Sequence, residues 1–184
     1  MHNRIMTAAV EEMSERGIKF TMSDLARSLG VSKRCLYEHF ASKEQLISSI
    51  VDVLLEDVQE QRTAILANKD LNFQDKLRAI LCVNPKVFSP TEGRMADEIK
   101  RFMPAEWDRI ERFMERHWVF LEGFFNDGIA KGEFRPVCLP ILQKMLKGCM
   151  NEMVDYRFLV QHGISLTEAK SCVVDILTYG MATR

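Results

Sequence analysis

Apolar residues recur at helical spacing along nearly the whole chain, and short polar stretches separate these runs. Ile5, Ala9 and Met13 fall four residues apart, which places them on one face of a first helix. The pairs Gly17-Ile18 and Gly30-Val31 follow the first two runs and predict helix ends, with each glycine in the left-handed conformation. We find no sustained alternation with the period of two that a half-buried strand shows. The pattern therefore predicts an all-α chain of about nine helices.

Several helix starts carry a capping-box pattern, in which a Ser or Thr and a residue three positions later cap each other's backbone. The boxes span Thr21–Asp24, Ser42–Gln45 and Ser165–Glu168. The second box opens a helix of about residues 43–67. Later helices are predicted over about 73–83, from Pro90, and over about 104–131, 136–160 and 165–181.

The first three predicted helices are short, and their internal spacing fits a helix-turn-helix. Ala26 is small where the second helix must cross, and Gly30 accepts the left-handed conformation of the turn. Leu25, Val31 and Leu36 are placed to hold the two helices together. Such a motif lays its second helix in the major groove of DNA. A plain three-helix bundle that does not bind DNA would show the same elements, so both interpretations stay open at this point.

The face that would read DNA follows from the angle of about 100° between successive residues of a helix. If Leu36 and Phe40 point into the core, Arg34 and Glu38 point away from it. Arg34 suits the O6 and N7 atoms of guanine, and Glu38 can pair with it when DNA is absent. The predicted DNA contacts are Thr21, Ser23, Ser32, Lys33, Arg34, Cys35, Tyr37, His39 and Lys43.

Composition narrows the function classes. The chain has 184 residues, 47% of them hydrophobic and 28% charged, which is ordinary for a globular protein and excludes disorder. The net charge of −1 indicates no partner, but basic residues outnumber acidic ones between positions 19 and 43. No apolar stretch approaches the ~20 residues of a membrane span, so we expect no membrane partner. The five cysteines lack paired spacing, which argues against disulfides and zinc.

The order and spacing of the motif residues resemble the TetR family of bacterial transcriptional regulators. The matching pieces lie within about residues 2–50 and read Thr21-Met22-Ser23-Asp24-Leu25-Ala26, Gly30-Val31-Ser32-Lys33 and Leu36-Tyr37-x-His39-Phe40-x-x-Lys43-x-x-Leu46. The resemblance implies a three-helix DNA-binding domain, a linking fourth helix and a divergent helical ligand domain. It also implies dimerisation through the last two long helices. Arg34, Cys35 and Glu38 depart from residues common in the family, so the operator cannot be taken from a relative.

We therefore expect a helix-turn-helix domain over residues 1–46, where the linking helix begins, and an effector-binding and dimerisation domain over residues 47–184. Aromatic and Met side chains are abundant between 86 and 160, which suits an apolar ligand cavity and also an ordinary core. The predicted effector walls are Trp107, Phe113, Trp118, Phe124 and Met145. His117 is expected at a helix surface or in a cap rather than in contact with the effector. The predicted dimer contacts are Ile141, Met145, Cys149, Cys172, Val173 and Ile176.

Two function hypotheses follow. The leading one is a homodimeric repressor of the bacterial cytoplasm, associated with the nucleoid, that a small apolar or amphipathic effector releases from a palindromic DNA operator. The alternative is a DNA-binding architectural or interaction protein of the same fold without an effector. An enzyme is not expected, because the chain lacks a phosphate-binding loop, a zinc-protease motif and a nucleophile elbow. We expect no cofactor and no metal.

Overall fold

A computed structural model describes residues 1–85, 92–153 and 156–181. Within these ranges the regular elements are ten α-helices and a 3-10 turn over Gly17–Lys19, which confirms the predicted all-α class. The helices are α1 (His2–Arg16), α2 (Met22–Leu29), α3 (Lys33–Tyr37), α4 (Lys43–Ala67), α5 (Phe73–Leu81), α6 (Glu92–Phe102), α7 (Pro104–Ala130), α8 (Leu139–Met153), α9 (Tyr156–His162) and α10 (Leu166–Met181). Helices α8 and α9 both lie within the helix predicted over 136–160, and residues 154 and 155 between them are outside the described residues. No helix within the described ranges is both long and apolar enough to cross a bilayer.

The predicted capping boxes form, with one change of partner. At Thr21–Asp24 and Ser165–Glu168 each side chain caps the backbone amide of the other residue. At the start of α4 the amide of Gln45 donates to the Ser42 hydroxyl over 3.1 Å, as predicted. The side-chain oxygen of Gln45, however, accepts from the amide of Ala41, one residue upstream of the predicted partner.

Gly17 does not adopt the left-handed helical conformation that was predicted for it. Its φ is 70° but its ψ is −169°, a combination that is essentially restricted to glycine. The reason lies in α6, because the amide of Ile18 donates to the carboxylate of Glu98 over 2.5 Å. A Cβ atom on Gly17 would overlap that carboxylate. Gly30, by contrast, has φ 66° and ψ 32°, which is the predicted left-handed conformation.

The chain packs into two compact units, and α4 and α7 contribute residues to both. Unit 1 consists of Met1–Asp57 and Pro85–Glu111, and unit 2 consists of Val58–Asn84 and Arg112–Arg184. The predicted division into a DNA-binding domain of residues 1–46 and an effector-binding and dimerisation domain of residues 47–184 is a division by function. It stays a prediction.

Each unit has its own apolar core. In unit 1 the core joins α1, α2, α3 and the first half of α4, and its most buried side chains include Ile5, Leu25, Leu36, Phe40 and Leu46. In unit 2 the core joins α5, α7, α8 and α10, and its most buried side chains include Leu77, Leu121, Phe134, Leu146 and Val174. Helix α3 is therefore held by the same core that anchors the start of α4.

Candidate nucleic-acid interface

Helices α2 and α3 form the helix-turn-helix that the sequence predicts. Gly30 makes the turn, and the amide of Val31 donates back to the carbonyl of Ala26 over 3.0 Å. Leu25 and Leu36 are fully buried, and Ala26 is buried at the crossing. The small Ala side chain lets the two helices approach, so the buried face of α3 is fixed and its opposite face is presented outward.

The exposed face of α3 carries the predicted base-reading residues. Ser32 caps the helix by accepting from the amide of Cys35 over 3.2 Å, which leaves Lys33 and Arg34 in the first turn. Tyr37 is half exposed, and Lys33 and Arg34 are exposed. This arrangement offers one guanidinium and one ammonium group for base edges or phosphates.

Arg34 and Glu38 form the ion pair expected when DNA is absent. The Arg34 Nε donates to the Glu38 Oε1 over 3.2 Å, and both side chains are more exposed than buried. An exposed pair of this spacing contributes only about 0.3–0.5 kcal/mol. Arg34 can therefore leave Glu38 for a guanine at small cost.

Thr21 and Ser23 begin α2, and Thr21 is committed to the cap. Its hydroxyl accepts from the amide of Asp24 over 3.2 Å and donates to the Asp24 carboxylate over 2.6 Å. These hydrogen bonds lower the pKa of Asp24, so its carboxylate stays charged. Thr21 is exposed, Ser23 and Cys35 are half-buried, and His39 is exposed. All the predicted DNA contacts lie in unit 1, and their role in binding stays a prediction.

Lys43 has a partner within the protein that the sequence did not indicate. Its ammonium donates to the carbonyl of Ile18 and lies 4.7 Å from the centre of the Phe20 ring. Burial lowers the pKa of Lys43. A phosphate contact by Lys43 therefore requires the ammonium to leave or share this carbonyl.

The predicted effector walls fall in different units. Trp107 belongs to unit 1, where its indole N–H donates to Glu111 over 2.7 Å. Phe113, Trp118, Phe124 and Met145 belong to unit 2. Trp107 was predicted as an effector contact because a buried indole N–H needs a hydrogen-bond partner. Glu111 on the same helix is that partner.

Trp118 lines a small cavity in unit 2 with Leu121, Phe125 and Leu146. Its volume is about 40 Å³, which holds water but not an organic effector. Phe124 stacks on Phe73 with the ring centres 4.2 Å apart and packs against the core.

A groove of about 520 Å³ runs along α8 and α10 in unit 2. Its lining includes every predicted dimer contact except Cys172, which is exposed. Met145, predicted both as an effector wall and as a dimer contact, lies in this groove and is 58% exposed. Ile141 and Ile176 are 58% and 69% exposed. An apolar face of this kind is typical of an interaction surface.

The sequence predicts His117 at a helix surface or in a cap, whereas in the structure it lies within α7 and is partly buried. The ring is half-buried against Arg62 of α4, with 3.2 Å between the Arg62 guanidinium and the His117 Nδ1. Burial, and then the charge of Arg62, lower the pKa of His117 to about 4. Helix spacing alone did not reveal this contact between His117 and Arg62.

Comparison with known proteins agrees with this geometry. Residues 5–50 match the family described as bacterial regulatory proteins, tetR family. The chain is 25% identical to the HTH-type transcriptional regulator YvaF of Bacillus subtilis (strain 168), over 98% of this chain and 95% of the relative. The fold resembles that of the regulator PfmR from Thermus thermophilus, with a TM-score of 0.74, 24% identity and coverage of 96% and 97% of the two chains. It also resembles the ketosteroid transcriptional regulator KstR2 of Mycobacterium tuberculosis, with a TM-score of 0.73, 17% identity and coverage of 100% and 95%.

Proposed function

The chain belongs to the TetR family of bacterial transcriptional regulators, and from this premise we propose that it is a homodimeric repressor. Two copies bind a palindromic DNA operator in the cytoplasm, at the nucleoid, and a small apolar or amphipathic effector releases them. The observation that carries the proposal is the uncovered apolar face of α8 and α10. A regulator that reads a palindrome needs a two-fold interface, and an exposed apolar face supports the proposal that α8 and α10 form it.

The α8–α10 face has the composition of an interface core. Ile141, Met145 and Ile176 line the groove and are each more than half exposed. A monomer rarely exposes so many large apolar side chains on one patch. Two such helix pairs that meet across a two-fold axis form a four-helix interface. The same axis relates two α3 helices, so the operator contains two inverted half-sites.

Release by an effector requires a difference in affinity between two conformers. The effector binds the conformer whose recognition helices are wrongly spaced better than the DNA-competent one. Helix α4 contributes residues to both units and begins beside the predicted DNA contacts, so it is the element through which we expect the change to pass. Because coupling is reciprocal, operator DNA weakens effector binding by the same factor as effector weakens DNA binding.

A second function, DNA binding without an effector, is favoured by the tight packing around Trp118, where the cavity is only about 40 Å³. Calorimetric titration of a candidate effector with and without operator separates the two. A lower effector affinity in the presence of operator supports the repressor. Equal affinity in both titrations supports the architectural or interaction protein.

The dimer is tested by placing a charge on the apolar face. Ile176→Asp puts a carboxylate where an apolar partner surface is expected, and Val119→Asp is the matched control on α7. Val119 is 72% exposed and does not line the groove. Sedimentation velocity at micromolar concentration should show a dimer for the wild type and Val119→Asp, and a monomer with weak operator binding for Ile176→Asp. A wild-type monomer, or a dimer that Ile176→Asp leaves intact, contradicts the proposal.

A further inference from the structure

Three cations lie against aromatic rings where the end of α6 packs beside the 3-10 turn, within unit 1. The Lys19 ammonium lies 5.5 Å from the centre of the Phe102 ring, and the Arg101 guanidinium lies 5.2 Å from the same centre. The Lys100 ammonium lies 5.4 Å from the centre of the Trp107 ring. All three cations are exposed, and together they are called the basic patch below.

The charge of the basic patch is not neutralised by the protein. Within the described ranges, no acidic side chain forms an ion pair with Lys19, Lys100 or Arg101. The carboxylate of Glu98, which also belongs to α6, accepts a hydrogen bond from the amide of Ile18. An aromatic ring attracts a cation but leaves its charge in place. In a chain whose net charge is −1, the patch therefore offers a local positive field to an anionic partner.

The basic patch adjoins two of the predicted DNA contacts. Thr21 follows Lys19 by two residues and caps the start of α2. The ammonium of Lys43 donates to the carbonyl of Ile18, the residue that precedes Lys19. Because each strand of duplex DNA carries one phosphate per about 3.4 Å of its axis, a strand that meets Thr21 and Lys43 brings further phosphates close to Lys19.

We propose that the basic patch is a second phosphate-binding surface, which holds the DNA backbone beside the major groove that α3 enters. Lys19 contacts the backbone next to Thr21, and Lys100 and Arg101 extend this contact onto α6. An arginine matches two phosphate oxygens with its paired donors, and a lysine supplies a point charge. Such contacts add affinity and fix orientation but do not read sequence. Lys100 and Arg101 lie outside the residues 5–50 that match the family and outside the predicted DNA contacts.

The experiment measures how steeply the affinity for DNA falls with salt. Fluorescence anisotropy is recorded for the full chain with a labelled duplex of mixed sequence, about 40 base pairs long, between about 50 and about 200 mM salt. The patch variant combines three changes that remove charge: Lys19→Gln, Lys100→Gln and Arg101→Gln. The charge-retaining variant combines three others: Lys19→Arg, Lys100→Arg and Arg101→Lys. The matched control removes three exposed cations of unit 2: Lys69→Gln, Arg112→Gln and Arg116→Gln.

The patch variant should lose salt dependence, because each phosphate contact contributes about 0.9 to the slope of log affinity against log salt. Loss of three contacts lowers the slope by about 2.7 per bound chain, so wild-type affinity should fall about 40-fold more than that of the patch variant over this salt range. The control and the charge-retaining variant should keep the wild-type slope. If the patch variant is less stable than the wild type in urea, the three single changes to Gln are measured instead, each with an expected loss of about 0.9.

A loss of at least about 0.9 in the patch variant alone supports the proposal. A smaller loss, an equal loss in either comparison variant, or no binding of the duplex by the wild type overturns it. The proposal rests on DNA binding by unit 1 but on neither the dimer nor the effector, and the mixed-sequence duplex requires no operator. A patch-dependent slope in a protein that sediments as a monomer therefore keeps the patch and refutes the dimer. A dimer whose slope the patch variant leaves unchanged keeps the dimer and overturns the patch.

Discussion

The half-buried imidazole of His117 should make the folded protein less stable in mild acid. Its pKa is about 4 in the folded chain against an ordinary value of 6.5, so the unfolded chain takes up the proton first as the pH falls. The stability that the folded state gains by keeping His117 neutral is therefore fully present above about pH 6.5 and is lost as the pH falls towards 4. Between about pH 7 and pH 5 the linkage relation gives a loss of about 2 kcal/mol in the free energy of unfolding.

The test compares the wild type with His117→Gln, which has no proton to gain and retains an oxygen for Arg62. Urea unfolding at about pH 7 and pH 5 measures how much the free energy of unfolding falls as the pH is lowered. That fall should be about 2 kcal/mol smaller in His117→Gln than in the wild type. For a chain of this size that difference corresponds to about 4–8 °C in Tm. His39→Gln, which changes an exposed histidine, serves as control and should keep the wild-type loss. If wild type and His117→Gln lose the same stability, the burial of a neutral imidazole beside Arg62 is refuted.

Two further predictions test packing and recognition. Gly128→Ala should cost about 1–3 kcal/mol of unfolding free energy, because its Cβ would lie 2.5 Å from the buried ring of Phe134. Gly123→Ala, in open space on the same helix, should gain up to about 1 kcal/mol, and equal urea midpoints for the two variants would contradict this packing. Glu38→Gln removes the partner that holds Arg34 and should tighten operator binding about two-fold or more in a gel-shift titration. Weaker binding would show that Glu38 itself assists recognition.

Features that depend on residues close in sequence could be predicted. The cap between Thr21 and Asp24 and the Arg34–Glu38 pair need only three- and four-residue spacing, and both form. Gly30 likewise adopts the left-handed turn because the turn itself demands it. The helix-turn-helix formed by α2 and α3 could therefore be predicted from the sequence, because its geometry depends on residues close together in the chain.

Features that depend on distant partners could not be predicted. The conformation of Gly17 follows from Glu98, which lies on α6 and contacts the next amide. The ammonium of Lys43 contacts a carbonyl 25 residues away, and no pattern around Lys43 indicates this. The spacing of residues on a helix predicts which side chains share a face, but it does not predict which distant groups those side chains contact.

The surroundings of the predicted effector walls could not be predicted either, and their role stays untested. Helix α7 carries apolar side chains around much of its circumference, so spacing could not show which side His117 or Trp107 occupies. The α7 helix also contributes to both units, which places Trp107 in one and Trp118 in the other. The predicted dimer contacts lie on α8 and α10, where apolar side chains such as Ile141 and Ile176 are exposed, and their role in an interface stays a prediction.

Sequence-specific recognition by α3 is tested by selecting binding sites from randomised duplex DNA with the wild type and with Arg34→Ala. The wild type should enrich one palindrome with two inverted half-sites. Arg34→Ala should lose about 1–3 kcal/mol of affinity and the preference at one base pair of each half-site, while the other positions stay selected. Enrichment of no sequence by the wild type, or the same preferences in Arg34→Ala, would contradict sequence-specific recognition by α3.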